Sequence, residues 1–169
     1  MVKPMALSGA ILAGGKSLRM GQDKALLPFR GKPLLQHVSD LLRPHVSEVV
    51  IAGGKAEYAV WGRLVPDLLS PPCPLVGIHA VLSGITTPRA IIVACDMPFI
   101  DIDLLHEGEG IDADVVIPVS PNGMEPLHAI YSRSCIPALE RRLREGRPKI
   151  TDFFDIVKVR EIRVEDVGS

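Results

Sequence analysis

Aromatic side chains are scarce in this sequence: Phe, Trp and Tyr together make up 4% of its 169 residues. That argues against a protein that binds single strands by stacking bases on rings. Net charge is nearly absent too. Nineteen Lys and Arg oppose twenty Asp and Glu, for a formal charge of -1. Such a balance speaks against a surface built to coat nucleic acid or an anionic membrane. Cysteine is limited to Cys73, Cys95 and Cys135, odd in number and far apart. This pattern disfavours a disulfide framework, offers no metal-ligand spacing, and fits the reduced thiols of a cytoplasmic protein. No apolar run approaches the ~20 residues a membrane helix requires. Lys3 precedes a short apolar stretch, but that stretch runs into Gly-rich, charged sequence without a small-residue cleavage site, so a signal peptide is rejected.

What is present is aliphatic. Hydrophobic residues make up 47% and charged residues 23%, an ordinary globular composition at a length that one core can serve. Short apolar runs alternate with amphipathic segments. Strands are expected at Ala6 to Leu12, Glu48 to Ala52, Arg63 to Pro66, Arg89 to Ala94, Asp114 to Pro118, Leu127 to Tyr131 and Val157 to Val164. Helices are expected from Pro33 to Leu42, Leu75 to Ser83, Asp101 to Glu107 and Pro137 to Arg144, with short helical pieces at Ala56 to Trp61 and Ile150 to Phe154. This alternation predicts an α/β three-layer sandwich: a mostly parallel, Rossmann-like sheet with helices on both faces. Two strands with no helix between them, from Asp114 to Tyr131, predict a local antiparallel or mixed element. Ligands of such sheets sit beyond the carboxyl ends of the strands, where strand order reverses. The ends at Leu12 to Gly15 and at Cys95-Asp96 are the candidate site.

The first strand runs into a loop in which Gly14, Gly15 and Gly21 are interleaved with Lys16, Arg19 and Lys24. Glycines let the backbone approach a ligand closely, exposed N–H groups surround phosphate oxygens, and the cations add fixed charge. The pattern suits a polyphosphate. Two better-known phosphate loops do not fit. Gly15-Lys16-Ser17 matches the end of a Walker A motif, but the leading glycine would fall at Ala10. Gly14 and Gly15 are adjacent, which breaks a Gly-x-Gly-x-x-Gly fingerprint.

The run from Leu12 to Lys24, with Ala13-Gly14-Gly15, Ser17, Arg19-Met20-Gly21 and Asp23-Lys24, resembles the signature of the molybdenum-cofactor guanylyltransferase (MobA-type) family of nucleotidyltransferases. So do Ala25 to Leu34, Cys95-Asp96-Met97-Pro98, and Glu125-Pro126-Leu127-His128-Ala129-Ile130-Tyr131. The resemblance runs in order from Ala10 to about Phe154. It implies a single nucleotidyltransferase domain over residues 1–169, with a nucleotide-diphospho-sugar transferase-like fold. Ala13-Gly14-Gly15 resembles the GTP-using branch, where cytidylyl-transferring relatives carry Ala-Ala-Gly. The second base-recognition segment of the family is similar to Cys73-Pro74-Leu75-Val76-Gly77, with Cys73 in place of a glycine. The family's Asn after the second strand is replaced by Ala52, so that contact is not carried over and the Gly53-Gly54 backbone is its substitute.

The nucleotide-binding residues implied by the resemblance are Leu12, Ala13, Gly14, Gly15, Lys24, Asp67 and Asp96. A carboxylate such as Asp67 can accept from both N1–H and the exocyclic amine of guanine; a turn aspartate in a Pro-rich loop is its competing reading. Asp96, closing a buried strand, suits Mg²⁺, which is held by one or two carboxylates, waters and substrate phosphates. The implied catalytic residues are Arg19, Lys24 and Asp96, with Asp96 as the metal ligand. Asp101 and Asp103 fit a helix start. His128 reads as a core histidine, and Arg141, Arg142 and Arg144 as a solvated helix face. Lys149 to Asp152 is a candidate to approach the second substrate.

The implied reaction transfers GMP from GTP to the phosphate of molybdopterin with release of pyrophosphate, with transient contacts to other molybdenum-cofactor proteins. A CTP-using relative, another phosphate acceptor, and a non-catalytic GTP-binding module are the competing readings. The near-zero charge hides an uneven distribution. Met1 to Pro33 holds six basic residues and one acid, Asp23, while Asp96 to Ser132 holds eight acids and no Lys or Arg.

Overall fold

A computed structural model describes residues 7–14 and 23–163. The main sheet has β1 (Leu7–Leu12), β4 (Val49–Ala52), β5 (Arg63–Val65), β6 (Arg89–Ala94), β7 (Val115–Ser120), β9 (His128–Ser132) and β10 (Val159–Arg163) in the order β10-β7-β9-β6-β1-β4-β5. The short β8 (Gly123–Met124) pairs with β7. Contacts of β1 with β4 and β6, β4 with β5, and β7 with β10 are parallel. β9 runs antiparallel to both β6 and β7, as the missing crossover helix predicted. A separate two-stranded hairpin, β2 (Pro28–Phe29) and β3 (Lys32–Pro33), was not anticipated. It turns through Arg30 and Gly31, both with positive φ.

Helices α1 (Leu34–Leu42) and α3 (Ile102–Glu109) cover one face of the sheet; α2 (Pro74–Gly84) and α4 (Ile136–Arg144) cover the other. The two faces form separate cores. Leu35, Val38 and Leu42 of α1 recur at helical spacing and pack with Ile11, Ile51, Ile91 and Val93. On the opposite face α2 packs on Ala10, Val50 and Ile92, and α4 in turn packs on α2. Being covered on two sides, α2 buries Leu75, Val76, Ile78, His79, Val81 and Leu82 and shows little amphipathicity. Truncating one of these large aliphatic side chains to Ala would cost about 2–5 kcal/mol. No helix among the described residues is long and apolar enough to cross a membrane.

Arg142 corrects the expectation of a solvated arginine face. It is buried, with Nε donating to the Asp152 carbonyl at 2.9 Å and its terminal nitrogens to Glu145 at 2.7 Å and Asp155 at 2.9 Å. It clamps the 3-10 segment Ile150–Ile156 onto α4, and Phe153 of that segment is buried. At the amino ends of the strands, Glu48 accepts from Ser8 Oγ (2.9 Å), Thr86 N (2.9 Å), Thr86 Oγ1 (3.0 Å) and Arg63 (2.9 Å). These bonds tie the starts of β1 and β5 to the loop before β6.

Candidate functional site

From β1 the chain moves outward through β4 to β5, then returns to the other side of β1 as β6. Strand order therefore reverses between β1 and β6, the place where sheets of this type open a ligand crevice. The ends there are level, because Leu12 is in register with both Ala52 and Ala94. The ladder continues one step further: Ala13 N–H donates to the Ala52 carbonyl at 2.9 Å, and Cys95 N–H to the Leu12 carbonyl at 3.1 Å. Beyond that step the chain is glycine. Gly53 has φ +78°, and a Cβ on it would stand 2.9 Å from both N and Cα of Gly14. Only glycine allows the two turns to touch backbone to backbone at this distance.

The described residues expected on the nucleotide side each have a definite place. Leu12 is partly exposed and packs toward α2, where a Cβ on Gly77 would be 3.3 Å from its side chain. The Ala13 methyl is buried, so backbone is what it can offer a ligand. Gly14 is exposed. Ala52 is buried, and Gly53 brings main chain to the site beside it. Cys73 is the N-cap residue of α2 at φ -160°. That is extended backbone open to any residue, so the departure from glycine carries no conformational cost. Asp67 is exposed two residues past β5, on the same carboxyl edge of the sheet. Gly15, Lys16, Arg19 and Gly21 lie outside the described residues.

Lys24 begins a 3-10 turn, Lys24–Leu26, and is exposed. Asp23 caps that turn, its Oδ1 accepting from Ala25 N–H at 3.1 Å. Its Oδ2 accepts from the Tyr58 hydroxyl at 2.5 Å and lies 3.3 Å from Lys55 Nζ. Ala25 is buried with Leu35 and Val38, which anchors the turn to α1. Sequence reasoning missed Tyr58 and Lys55, since 35 residues separate Asp23 from its tyrosine partner.

Asp96 follows the buried Cys95 at the end of β6 and is exposed. Among the described residues no hydrogen bond or ion pair engages its carboxylate. The Cys95 thiol reports what surrounds it. Its pKa is pushed up to about 11, by burial first and then by the charges of Asp96 and Asp23, with Lys24 pulling the other way. The charges of both carboxylates and of the lysine are thus felt at one thiol. His128 stands opposite Val93 across β6 and β9. Its Nε2 accepts from Asp101 N–H at 3.2 Å, and burial lowers its pKa, so it is a neutral structural acceptor. The segment between β8 and β9 is fixed by Tyr131, whose hydroxyl donates to the Pro126 carbonyl at 2.5 Å.

Beside Asp96 the rim is aromatic. Phe99, 74% exposed, meets Phe29 edge-to-face at 5.7 Å, and the Arg30 guanidinium lies 5.1 Å from the Phe29 centroid. A groove of about 670 Å³ lies elsewhere, on the outer sheet edge. Met124, Thr151, Phe154 and Arg160 line it, so Thr151 of the segment Lys149 to Asp152 borders this groove.

The sequence matches the family model of the MobA-like NTP transferase domain over residues 9–158. The chain belongs to that family. Among its relatives, a probable molybdenum cofactor guanylyltransferase of Pelotomaculum thermopropionicum is 40% identical over 168 residues, covering 96% of this chain and 81% of that one. The molybdenum cofactor guanylyltransferase of Desulfosudis oleivorans is 37% identical over 163 residues, covering 93% and 81%. Among solved structures, the molybdopterin-guanine dinucleotide biosynthesis protein A of Archaeoglobus fulgidus superposes with a TM-score of 0.79 at 28% identity, over 95% of this chain and 85% of that one. A 4-diphosphocytidyl-2C-methyl-D-erythritol synthase of Anaerococcus prevotii shares the fold alone, with a TM-score of 0.66 at 12% identity over 93% and 86%.

Proposed function

We propose that this protein transfers GMP from GTP to the terminal phosphate of a molybdopterin-type acceptor, releasing pyrophosphate, in molybdenum cofactor biosynthesis. The observation that carries the reading is what stands at the carboxyl ends of β4, β1 and β6: exposed glycine backbone at Gly53 and Gly14, and the exposed Lys24 and Asp96, both of which act on the Cys95 thiol and neither of which has an ion-pair partner among the described residues. The guanylyltransferase relatives support GTP as the donor.

The acceptor phosphate is already a nucleophile at neutral pH, so the site needs no strong general base. Its work is alignment and charge neutralisation at the α-phosphate. Backbone N–H groups of the loop that follows β1 take the phosphates. Lys24, with Arg19 assisting, neutralises the triphosphate and the departing pyrophosphate. Leu12, Ala13 and Gly14 line the nucleoside side, and the Asp67 carboxylate accepts from the guanine edge.

Asp96 is the residue that would hold Mg²⁺. Its carboxylate is a hard oxygen ligand, exposed and without a competing partner among the described residues. No group of three or more candidate ligands occurs among the described residues. One carboxylate suits an ion that keeps waters and takes its remaining oxygens from substrate phosphates. When bound, Mg²⁺ supplies charge screening on the phosphate oxygens.

The test is pyrophosphate release with molybdopterin as acceptor, with GTP and CTP compared side by side. GTP is expected to support turnover, and a preference for CTP would overturn the guanine assignment. Asp96→Ala should lower turnover at least ~100-fold while leaving the melting temperature nearly unchanged, because the side chain is exposed. Near-normal Mg²⁺-dependent turnover in that variant would sink the metal assignment.

A further inference from the structure

We infer that Tyr58 is a positioning residue for the phosphate-binding lysine: acting through Asp23, its hydroxyl fixes where Lys24 stands at the mouth of the β1–β6 crevice. The inference rests on the reading of Lys24 as a triphosphate ligand. Tyr58 comes from the 3-10 segment Ala56–Val60 after β4 and is completely buried. A buried phenol oxygen needs a partner. Here it is Asp23 Oδ2, 2.5 Å away, while Oδ1 of the same carboxylate caps the turn that begins with Lys24. Asp23 is thus gripped on one oxygen and holds the turn with the other.

A lysine meant for phosphate cannot be held in place by a carboxylate of its own, because that would cancel the charge it offers. No ion pair engages Lys24 among the described residues, whereas Lys55 is paired with Asp23. The position of Lys24 is therefore set through its backbone, and the backbone is set by Asp23. Of the two groups on Oδ2, Lys55 is half exposed on a flexible stem. Tyr58 is rigid and buried, so it is the stronger restraint. Burial and the neighbouring Asp23 both raise the phenol pKa above its ordinary value, which keeps the hydroxyl a donor.

The same ring also packs against the glycine turn that follows β4. A Cβ on Gly54 would lie 2.1 Å from the Tyr58 ring. Gly54 follows Gly53, whose backbone meets Gly14. One buried tyrosine therefore keys the glycine turn after β4 to the turn carrying Lys24. Phenylalanine would preserve the packing and remove only the hydrogen bond.

The test is a double-mutant cycle of Tyr58→Phe with Lys24→Ala in the full-length protein, read by binding of Mg²⁺-GTP and of guanosine. Tyr58→Phe should weaken Mg²⁺-GTP binding about tenfold, the scale of one hydrogen bond to a charged group. It should change guanosine binding by less than about twofold, and it should add little in the Lys24→Ala background because the two residues act in series. Equal losses for GTP and guanosine, an undiminished loss in the Lys24→Ala background, or no loss at all would each overturn the inference. Should Tyr58→Phe fail to fold, Asp23→Asn takes its place in the cycle with the same expected pattern. If the wild-type protein takes another base, the cycle is run with that triphosphate and its nucleoside. The link reaches phosphates and not the base, so the guanine assignment then fails while this inference stands or falls by itself.

Discussion

Gly53→Ala tests whether the crevice is built on backbone contact. Gly53 is at φ +78°, where alanine loses roughly 1–2 kcal/mol relative to its preferred conformations. The new methyl would also stand 2.9 Å from N and Cα of Gly14, against the 3.4 Å at which ordinary contact begins. A side-chain tip could swing aside, but backbone cannot, so the β1 and β4 turns must part. Strain of that kind adds about 1–3 kcal/mol. The sum, about 2–5 kcal/mol, should lower the melting temperature by at least ~4 °C for a chain of this size. Two other glycines separate the terms. Gly31 has φ +82° with nothing within 4 Å of its Cβ position, so Gly31→Ala carries the conformational cost alone. Gly110 lies outside the left-handed region with nothing within 4 Å, so Gly110→Ala should stabilise by about 0.4–1 kcal/mol. Thermal melts should rank Gly110→Ala above wild type, then Gly31→Ala, then Gly53→Ala. Mg²⁺-GTP binding, measured on folded protein, should fall only for Gly53→Ala. A Gly53→Ala protein that melts with or above Gly31→Ala, or that binds GTP normally, would refute the backbone contact as the basis of the site.

The remaining predictions concern pH. Burial alone would raise the Glu48 pKa, but bonds from Arg63, Thr86 and Ser8 outweigh it and hold the carboxyl at about 2. Its contribution is therefore full above pH 4.5 and lost as pH falls from 4.5 toward 2. Urea midpoints measured from pH 5 to pH 3 should drop less steeply in Glu48→Gln than in wild type; parallel curves would remove Glu48 from acid unfolding. His128 works through neutrality. Burial lowers its pKa below 6.5, so folding favours the unprotonated ring and stability declines as pH drops below that value. His128→Gln, which retains an acceptor for the Asp101 N–H, should flatten the decline between pH 7 and 5, and an unchanged slope would count against it.

Much of the fold could be read from local pattern. Ile91, Ile92 and Val93 form a continuous apolar run because β6 is covered on both faces. Leu35, Val38 and Leu42 carry the helical period of α1 because only one side meets the sheet. The β2–β3 hairpin escaped notice because strands of two residues carry no period. Arg142 was misread because Arg141, Arg142 and Arg144 look alike along the chain. Only the return of the 150–156 segment turns Arg142 inward. The site divides the same way. Leu12 to Gly14, Lys24 and Asp96 lie in short local motifs, which is why the sequence alone could nominate them. The tyrosine behind Lys24 belongs to another motif 35 residues away, and no local pattern links the two.

The distribution of charge gains a sharper meaning from the structure. The basic amino-terminal stretch contains one acid, Asp23, and that carboxylate is already engaged by Tyr58, Lys55 and the Ala25 N–H. Lys24 is thereby left without a local counter-ion among the described residues. The acidic stretch begins at Asp96, which also lacks a partner among them, although both charges act on the same Cys95 thiol. A salt bridge between exposed groups of this kind would contribute only about 0–1 kcal/mol, so leaving them unpaired costs the fold little. Under the proposed function, the gain is a cation and a carboxylate that are both left available to a ligand. Neither alone would retain a metal-bound triphosphate, since the carboxylate repels its phosphates and the lysine repels its metal. Together they match its two ends of opposite charge, which is why substituting Lys24 and substituting Asp96 should impair the proposed reaction by different routes.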